Sequence, residues 1–168
     1  MQKFTCSPVH MCDLPRVMQI ISAAREYMES LGNPQWQNGF PDSAYLTDKT
    51  ERGLMYAVRA CGGIVGVFSV VPHEPDYDEI CGKWLFDGQY LAVHTVAVAP
   101  EARGAGCARF IFKNAFEMAL QSGAGSVRVD THQKNVPMRG LLASLGFTCC
   151  GTVTLSDGSQ RLAFEKII

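Results

Sequence analysis

Residues 96–108 read VAVAPEARGAGCA, and this stretch decides the fold. It continues the apolar run 90–99, which is typical of a central strand covered on both faces. Pro100 ends the run, and a turn rich in Arg and Gly follows over 103–106. Apolar residues then recur at helical spacing over 107–121. The pattern predicts a buried strand, a glycine loop and an amphipathic helix, in that order.

The glycine loop has the properties of an anion site. Small residues let a backbone approach a ligand closely, and the amides and dipole at a helix start attract negative charge. A phosphate-bearing ligand is therefore expected. No Lys-Ser/Thr follows Gly106, so a P-loop is excluded, and Arg109 stands where the dinucleotide fingerprint needs its third glycine. A turn that serves only helix–strand packing is the plain alternative.

Composition limits the remaining classes of protein. The chain has 168 residues, 47% of them hydrophobic and 18% charged, with a formal net charge of −1. These values predict one folded domain over residues 1–168 and exclude a disordered chain. Without a basic field, nucleic acid is a poor partner. No apolar run approaches the roughly 18 residues of a membrane span, and the N-terminal residues lack a signal pattern. A cytoplasmic protein is expected.

The cysteines predict neither a disulfide framework nor a metal site. Their number, seven, is odd, and no CxxC pair occurs. Structural zinc sites need clustered ligands, usually in two such pairs. We therefore expect reduced thiols that pack as small apolar side chains, and no metal.

Periodicity and turn residues predict the other elements. A helix is expected from Leu14 until Gly32, with Asp13 as its N-cap, and Asp157-Gly158 is a good hairpin turn. Further strands are expected over 4–8, 54–60, 63–71, 126–131, 147–154 and 160–168, and further helices over about 43–52 and 137–145. The whole is a single α/β (α+β) domain.

Two motifs resemble those of the GNAT acyltransferase superfamily. Arg103-x-x-Gly106-x-Ala108 is similar to the family's R/Q-x-x-G-x-G/A motif. The segment 135–147, with Asn135 first and Leu-Gly-Phe last, resembles its second motif, N-x-x-A-x-x-L-Y-x-x-L-G-F. Segments 35–41 and 129–135 resemble a bacterial subgroup whose substrate is unassigned. The resemblance implies a GNAT-type mixed, mostly antiparallel central sheet flanked by helices.

It also implies an N-acyltransferase that uses acetyl-CoA, the amine attacking the thioester directly. In this family, backbone groups of the central strand bind the pantetheine arm, here those of Val96, Ala97 and Val98. Amides of the loop bind the pyrophosphate, here those of Arg103, Gly104, Ala105, Gly106, Cys107, Ala108 and Arg109. Asn135 is expected beside the pantetheine. Cys107 invites a nucleophilic interpretation, but its side chain is expected to pack.

His94 is the candidate general base. It interrupts an apolar strand, shares strand parity with Val96 and Val98, and its ordinary pKa suits proton transfer. Its position resembles that of the catalytic histidine of arylalkylamine acetyltransferases. A hydrogen-bonded core histidine is the alternative. Leu142 occupies the position of the family's frequent acid, a tyrosine. That departure leaves open a non-catalytic acyl-CoA-binding or regulatory module. A nucleotide-binding protein is a further, less favoured alternative.

The acceptor is expected to be a small-molecule primary amine or a peptide. Candidate contacts are two strand-end residues and four loop aromatics: Asp130, His132, Trp36, Phe40, Tyr77 and Trp84. A capping Asp, a solvated His and aromatics packed under loops are the alternatives. Carboxylates at Glu74, Asp76, Asp78 and Glu79 either attract a cationic amine or form a solvated loop. The family resemblance also allows a homodimer.

Overall fold

The computed structural model describes residues 3–168, which contain eight β-strands and four α-helices. The strands are β1 (Thr5–Pro8), β2 (Met55–Ala60), β3 (Gly63–Val71), β4 (Cys81–Gly82), β5 (Tyr90–Val98), β6 (Ser126–Thr131), β7 (Thr148–Thr154) and β8 (Gln160–Ile167). The helices are α1 (Leu14–Ser30), α2 (Ser43–Glu51), α3 (Cys107–Ser122) and α4 (Val136–Ser144). The sheet is mostly antiparallel. The predicted α/β class is therefore confirmed, and every predicted strand and helix is present.

The described chain forms two compact units. The first comprises the described residues up to 70 together with 95–114, and the second comprises 71–94 and 115–168. Strand β5 contributes its first five residues to the second unit and the remainder to the first. The expectation of one domain over residues 1–168 stays a prediction.

In the first unit the strand order is β1-β2-β3-β5, with β1–β2 and β2–β3 antiparallel. One apolar face of α1, which includes Val17, Ile20 and Ala24, packs into a core with side chains of β2 and β3. Gly66 of β3 is needed for space, since a Cβ there would lie 2.7 Å from Cys107 Sγ. The side chain at the start of α3 therefore fits closely against β3.

In the second unit the order is β5-β6-β8-β7-β4, and the pair β5–β6 is parallel. Its best-connected buried polar group is the Glu165 carboxylate of β8, which has no exposed surface. Oε1 accepts from Ser126 Oγ at 2.6 Å and from Arg128 Nε at 2.8 Å, while Oε2 accepts from the amides of Leu85 and Phe86. This network ties β6 and β8 to the segment before β5.

Two details differ from expectation. Asp13 does not cap α1 with its side chain; its carboxylate accepts from the His10 amide at 3.0 Å and from Arg59 Nη2 at 2.7 Å. Asp13 does occupy the predicted N-cap position of α1, but a long-range ion pair with Arg59 of β2 holds its carboxylate. Strand β4 was not predicted, and two residues are too few to show periodicity.

Candidate functional site

The glycine loop lies between a short 3-10 turn (Pro100–Ala102) and α3. Gly104 has φ +75° and Gly106 φ +87°, a conformation that L side chains rarely adopt. A Cβ at either position would meet no atom within 4 Å, so glycine serves the backbone conformation and leaves open space beside the loop. The first turn of any helix leaves amides without intrahelical acceptors. The geometry therefore suits an extended anionic ligand.

The side chain of Arg103 anchors the loop to α1. Its Nη2 donates to the carbonyl of Ala23 at 3.0 Å, and its guanidinium carbon lies 4.3 Å from the ring centroid of Tyr27. These contacts occupy the side chain, and the Arg103 amide donates to the carbonyl of Pro100 at 3.3 Å, so the predicted contact of Arg103 with a ligand stays a prediction.

Cys107 is buried, with 1% of its surface exposed. Its Sγ lies 3.9 Å from the carbonyl of Val65, and burial raises the pKa of the thiol to about 11. A thiol that stays protonated at neutral pH is a poor nucleophile. The expected packing role of this side chain is confirmed.

Strand β5 contains a backbone irregularity at Thr95, whose φ is +57°. This conformation costs of the order of 1–3 kcal/mol in a non-glycine residue. Its hydroxyl accepts from Ser69 Oγ at 3.3 Å and lies 3.4 Å from the hydroxyl of Tyr45. Beyond it, Val96 and Val98 are partly exposed while Ala97 is buried. Val96 and Val98 therefore share one side of the strand, whereas the predicted parity of His94 with them stays a prediction because Thr95 interrupts the strand.

Two carboxylates flank the imidazole of His94 within the second unit. Nε2 lies 3.1 Å from Glu74 Oε2, and Nδ1 lies 3.5 Å from Asp130 Oδ1. Nε2 is buried and makes no hydrogen bond despite that short distance, so the contact with Glu74 is an electrostatic one whose N–H is poorly aligned. The side chain of His94 keeps 17% of its surface exposed.

Tyr77 is buried, as the packing alternative for a loop aromatic expects, and its predicted contact with an acceptor stays a prediction. It lies in a 3-10 turn (Pro75–Tyr77) and is 1% exposed. Its hydroxyl donates to Asp130 Oδ1 at 2.7 Å. Burial, followed by the charge of Asp130, raises the pKa of Tyr77 well above its ordinary value. The structure therefore makes Tyr77 a support of Asp130.

Trp84 and His132 are partly exposed and each is tied to its own surroundings. Trp84 Nε1 donates to the carbonyl of Tyr77 at 3.0 Å, and the Arg128 guanidinium lies 4.3 Å from its ring centroid. The Nδ1 of His132 accepts from the amide of Lys134 at 3.1 Å. Burial, followed by the charge of Arg161, lowers the pKa of His132, which favours the neutral ring. Contact of either residue with an acceptor stays a prediction.

The other aromatic candidates lie in the first unit. Trp36 is partly buried and packs against the core, while Phe40 is 42% exposed and contacts the Tyr45 ring edge-on at 4.6 Å. In the second unit, Asn135 caps α4, its Oδ1 accepting from the Met138 amide at 3.3 Å. Leu142 is fully buried, and a leucine side chain has no proton to donate at that position. The predicted ligand contacts of Trp36, Phe40 and Asn135 stay predictions.

Sequence reasoning missed the role of Glu74. The sequence predicts either a solvated acidic loop or a general attraction for a cationic amine, whereas Glu74 is partly buried beside His94. Tyr90, the first residue of β5, holds this loop, because its hydroxyl accepts from the Glu74 amide at 2.9 Å. No local pattern signals this contact between residues 16 positions apart.

Two features are absent from residues 3–168: a membrane-spanning helix and a metal-binding cluster. No helix in that range has the length and apolarity needed to cross a membrane. Within the same range, no group of three or more His, Cys, Asp or Glu side chains is arranged to hold a metal ion. The seven cysteines, all within residues 3–168, are unpaired with one another.

Comparison with known proteins identifies the family. The model of the acetyltransferase (GNAT) family matches residues 17–147. A GNAT-family acetyltransferase structure from Streptococcus agalactiae 2603 is 32% identical, with a TM-score of 0.84, covering 98% of this chain and 95% of that one. No curated protein matches the chain.

More distant structures share the fold. The ribosomal-protein-alanine N-acetyltransferase of Brucella melitensis is 23% identical, with a TM-score of 0.67, covering 98% of this chain and 99% of that one. The ribosomal-protein-S18-alanine N-acetyltransferase of Escherichia coli is 17% identical, with a TM-score of 0.68, covering 99% and 94%. The fold, the glycine loop and the family match agree: the chain belongs to the GNAT acetyltransferase family.

Proposed function

We propose that this protein transfers the acetyl group of acetyl-CoA to a primary amine by direct attack of the amine. The observation that carries the proposal is the glycine loop: two glycines with positive φ, open space beside them and the start of α3 immediately after. This is the backbone arrangement that an anionic pyrophosphate requires. Acetyl-CoA supplies the activated acetyl group as a thioester when it is bound.

The residues that would hold acetyl-CoA act mainly through their backbones. In the segment from Arg103 to Arg109, the amides of Arg103 and Ala105 donate to the carbonyls of Pro100 and Ala102 at 3.3 Å, and the remaining amides would face the pyrophosphate. Val96, Ala97 and Val98 would align the pantetheine arm. The anchored Arg103 side chain and the packed Cys107 side chain support this view, because both are occupied within the protein. Substitutions that keep the backbone conformation should therefore be tolerated in this loop.

His94 would remove the proton that keeps the acceptor amine unreactive. A lysine-like amine with a pKa near 10.4 must lose a proton at pH 7, at a cost of about 4.6 kcal/mol. Nε2 is enclosed beside Glu74, so the amine would approach the ring from the side of Nδ1. When Nδ1 takes the proton, the resulting imidazolium has a carboxylate beside each nitrogen.

The charges around His94 also favour a cationic acceptor. Glu74 and Asp130 each place a carboxylate oxygen within 3.5 Å of the His94 ring, and the Arg161 guanidinium, with Nε 3.9 Å from Asp130 Oδ2, offsets one of these two charges. The remaining negative charge attracts an ammonium group and disfavours a carboxylate at that position. We therefore propose a small primary amine or a peptide amine as acceptor, acetylated in the cytoplasm.

The test is release of the CoA thiol. The purified protein is incubated with acetyl-CoA and a panel of polyamines, aminoglycosides, amino acids and peptides, and free thiol is measured with a chromogenic disulfide. We expect turnover with at least one amine and an N-acetyl product of 42 Da greater mass by mass spectrometry, a mass fixed by the acetyl group. Saturable acetyl-CoA binding with no turnover across the panel would favour the non-catalytic module.

A further inference from the structure

Two buried tyrosines bond to the two acidic residues that flank His94, one at the carboxylate and one at the backbone. Tyr77 donates to Asp130 Oδ1 at 2.7 Å. The hydroxyl of Tyr90 accepts from the Glu74 amide at 2.9 Å and donates to the Glu74 carbonyl at 3.3 Å. Each carboxylate beside the imidazole therefore has its own tyrosine, one bound at the carboxylate and one at the backbone that carries it.

Both tyrosine rings are themselves held in place. Tyr77 and Tyr90 are 1% and 8% exposed, and their ring centroids lie 6.3 Å apart. Trp84 Nε1 donates to the carbonyl of Tyr77 at 3.0 Å, and the Arg128 guanidinium lies 3.9 Å from the Tyr90 centroid. Rings packed in this way lose little further entropy when their hydroxyls bind, so they suit a positioning role.

We propose that Tyr77 and Tyr90 are positioning residues that hold Asp130 and Glu74 against opposite nitrogens of His94. This rests on the proposed function, in which His94 accepts the proton of the acceptor amine. The carboxylates then stand ready on both sides before the proton arrives, and the imidazolium needs no rearrangement around it. Neither tyrosine exchanges a proton with the substrate.

The carboxylates and tyrosines of this cluster come from three elements. Tyr77 belongs to the 3-10 turn, and Glu74 immediately precedes that turn. Tyr90 lies on β5, and Asp130 lies on β6. Arg161 of β8 acts on the cluster through Asp130. Because the pKa of Tyr77 is raised by burial and by the neighbouring carboxylates, its hydroxyl stays protonated at and above neutral pH and remains a donor to Asp130.

The first experiment compares Tyr77→Phe and Tyr90→Phe in the CoA-release assay across a pH series. Tyr56→Phe is the matched control, because Tyr56 stacks on Phe68 in the first unit and touches none of these groups. We expect Tyr77→Phe to lower kcat about tenfold and Tyr90→Phe about threefold, with an altered acid limb of the pH profile. The KM for acetyl-CoA should not change, and Tyr56→Phe should match the parent protein.

A double variant separates positioning from a merely structural role. If Tyr77 acts through His94, adding Tyr77→Phe to His94→Gln should cause no further loss of kcat. If the double variant loses kcat by the product of the two single-variant factors, the positioning role is overturned. A parent-like rate in His94→Gln would overturn the base assignment and the positioning role with it, whereas an impaired His94→Gln beside an unaffected Tyr77→Phe overturns the positioning role alone.

A measurement that needs no substrate completes the test. The ring ¹⁵N signals of His94 report the hydrogen bonding and tautomer of each nitrogen. We expect Tyr77→Phe to shift the Nδ1 signal and Tyr90→Phe to shift the Nε2 signal, with thermal melts confirming that both variants fold. Unchanged ring signals in both folded variants would overturn the proposal.

Discussion

The glycine loop is built from backbone groups, whereas the His94 cluster is built from side chains. The loop is exposed over residues 103–106, contains two glycines with positive φ and offers backbone amides. The His94 cluster is largely buried and consists of side chains from residues far apart in the chain, Glu74, Tyr77, His94 and Asp130. The residues of the backbone site are contiguous in the sequence, whereas the side-chain site depends on which elements the fold brings together.

The largest expected effect is a loss of stability when the buried carboxylate of Glu165 in the second unit is removed. Glu165→Gln removes the charge that Arg128 and two backbone amides need, at a site with no exposed surface. Because this leaves a buried guanidinium without its counter-ion, we expect a loss of about 3 kcal/mol in the free energy of unfolding, measured by urea denaturation. Glu29→Gln, on the exposed part of α1, is the control. A loss under about 1 kcal/mol would contradict the role of this network.

His94→Gln tests the chemistry of the cluster. The amide keeps some hydrogen-bonding capacity but cannot accept the proton, so kcat at neutral pH should fall about 100-fold and the acid limb of the pH profile should flatten. Acetyl-CoA affinity, measured by calorimetry, should stay within about twofold, since the loop is intact. Unchanged kcat would return His94 to the role of a core histidine.

Gly106→Val tests the backbone region. Gly106 and Gly123, which follows α3, have φ +87° and +77°, and a Cβ at either meets no atom within 4 Å. The two valine variants therefore carry similar conformational strain, of the order of 1–2 kcal/mol. Only Gly106→Val should raise the Kd of acetyl-CoA, by at least about tenfold. Equal Kd values, or collapse of the fold with acetyl-CoA affinity intact in the folded fraction, would contradict a phosphate site.

Cys107→Ala should have the smallest effect. The thiol is buried and its pKa is raised to about 11, so it stays protonated at pH 7–8 and takes no part in nucleophilic chemistry. Turnover should stay within about twofold of the parent, and iodoacetamide should modify the exposed Cys12 well before Cys107. Loss of turnover in a folded Cys107→Ala variant would reopen covalent catalysis.

The comparison also explains what the sequence could predict. The apolar run of β5 and the Arg/Gly turn after it are local signals, and the strand, loop and helix follow as predicted. Strand β4 could not be predicted because it has only two residues. Gly82 and Gly151 permit its pairing with β7, since a Cβ at either would approach the partner backbone to about 2 Å. The burial of Tyr77 and the approach of Glu74 to His94 depend on contacts across tens of residues, which periodicity does not encode.

Thermal unfolding with and without acetyl-CoA tests the central claim most directly, with ATP and NAD as controls. A ligand at 100 times its Kd adds about 2.7 kcal/mol of stability, which is several degrees of Tm for a chain of this length. We predict an increase in Tm with acetyl-CoA and none with ATP or NAD. No shift at millimolar acetyl-CoA would contradict the account, because the glycine loop would then be a turn and no ligand site.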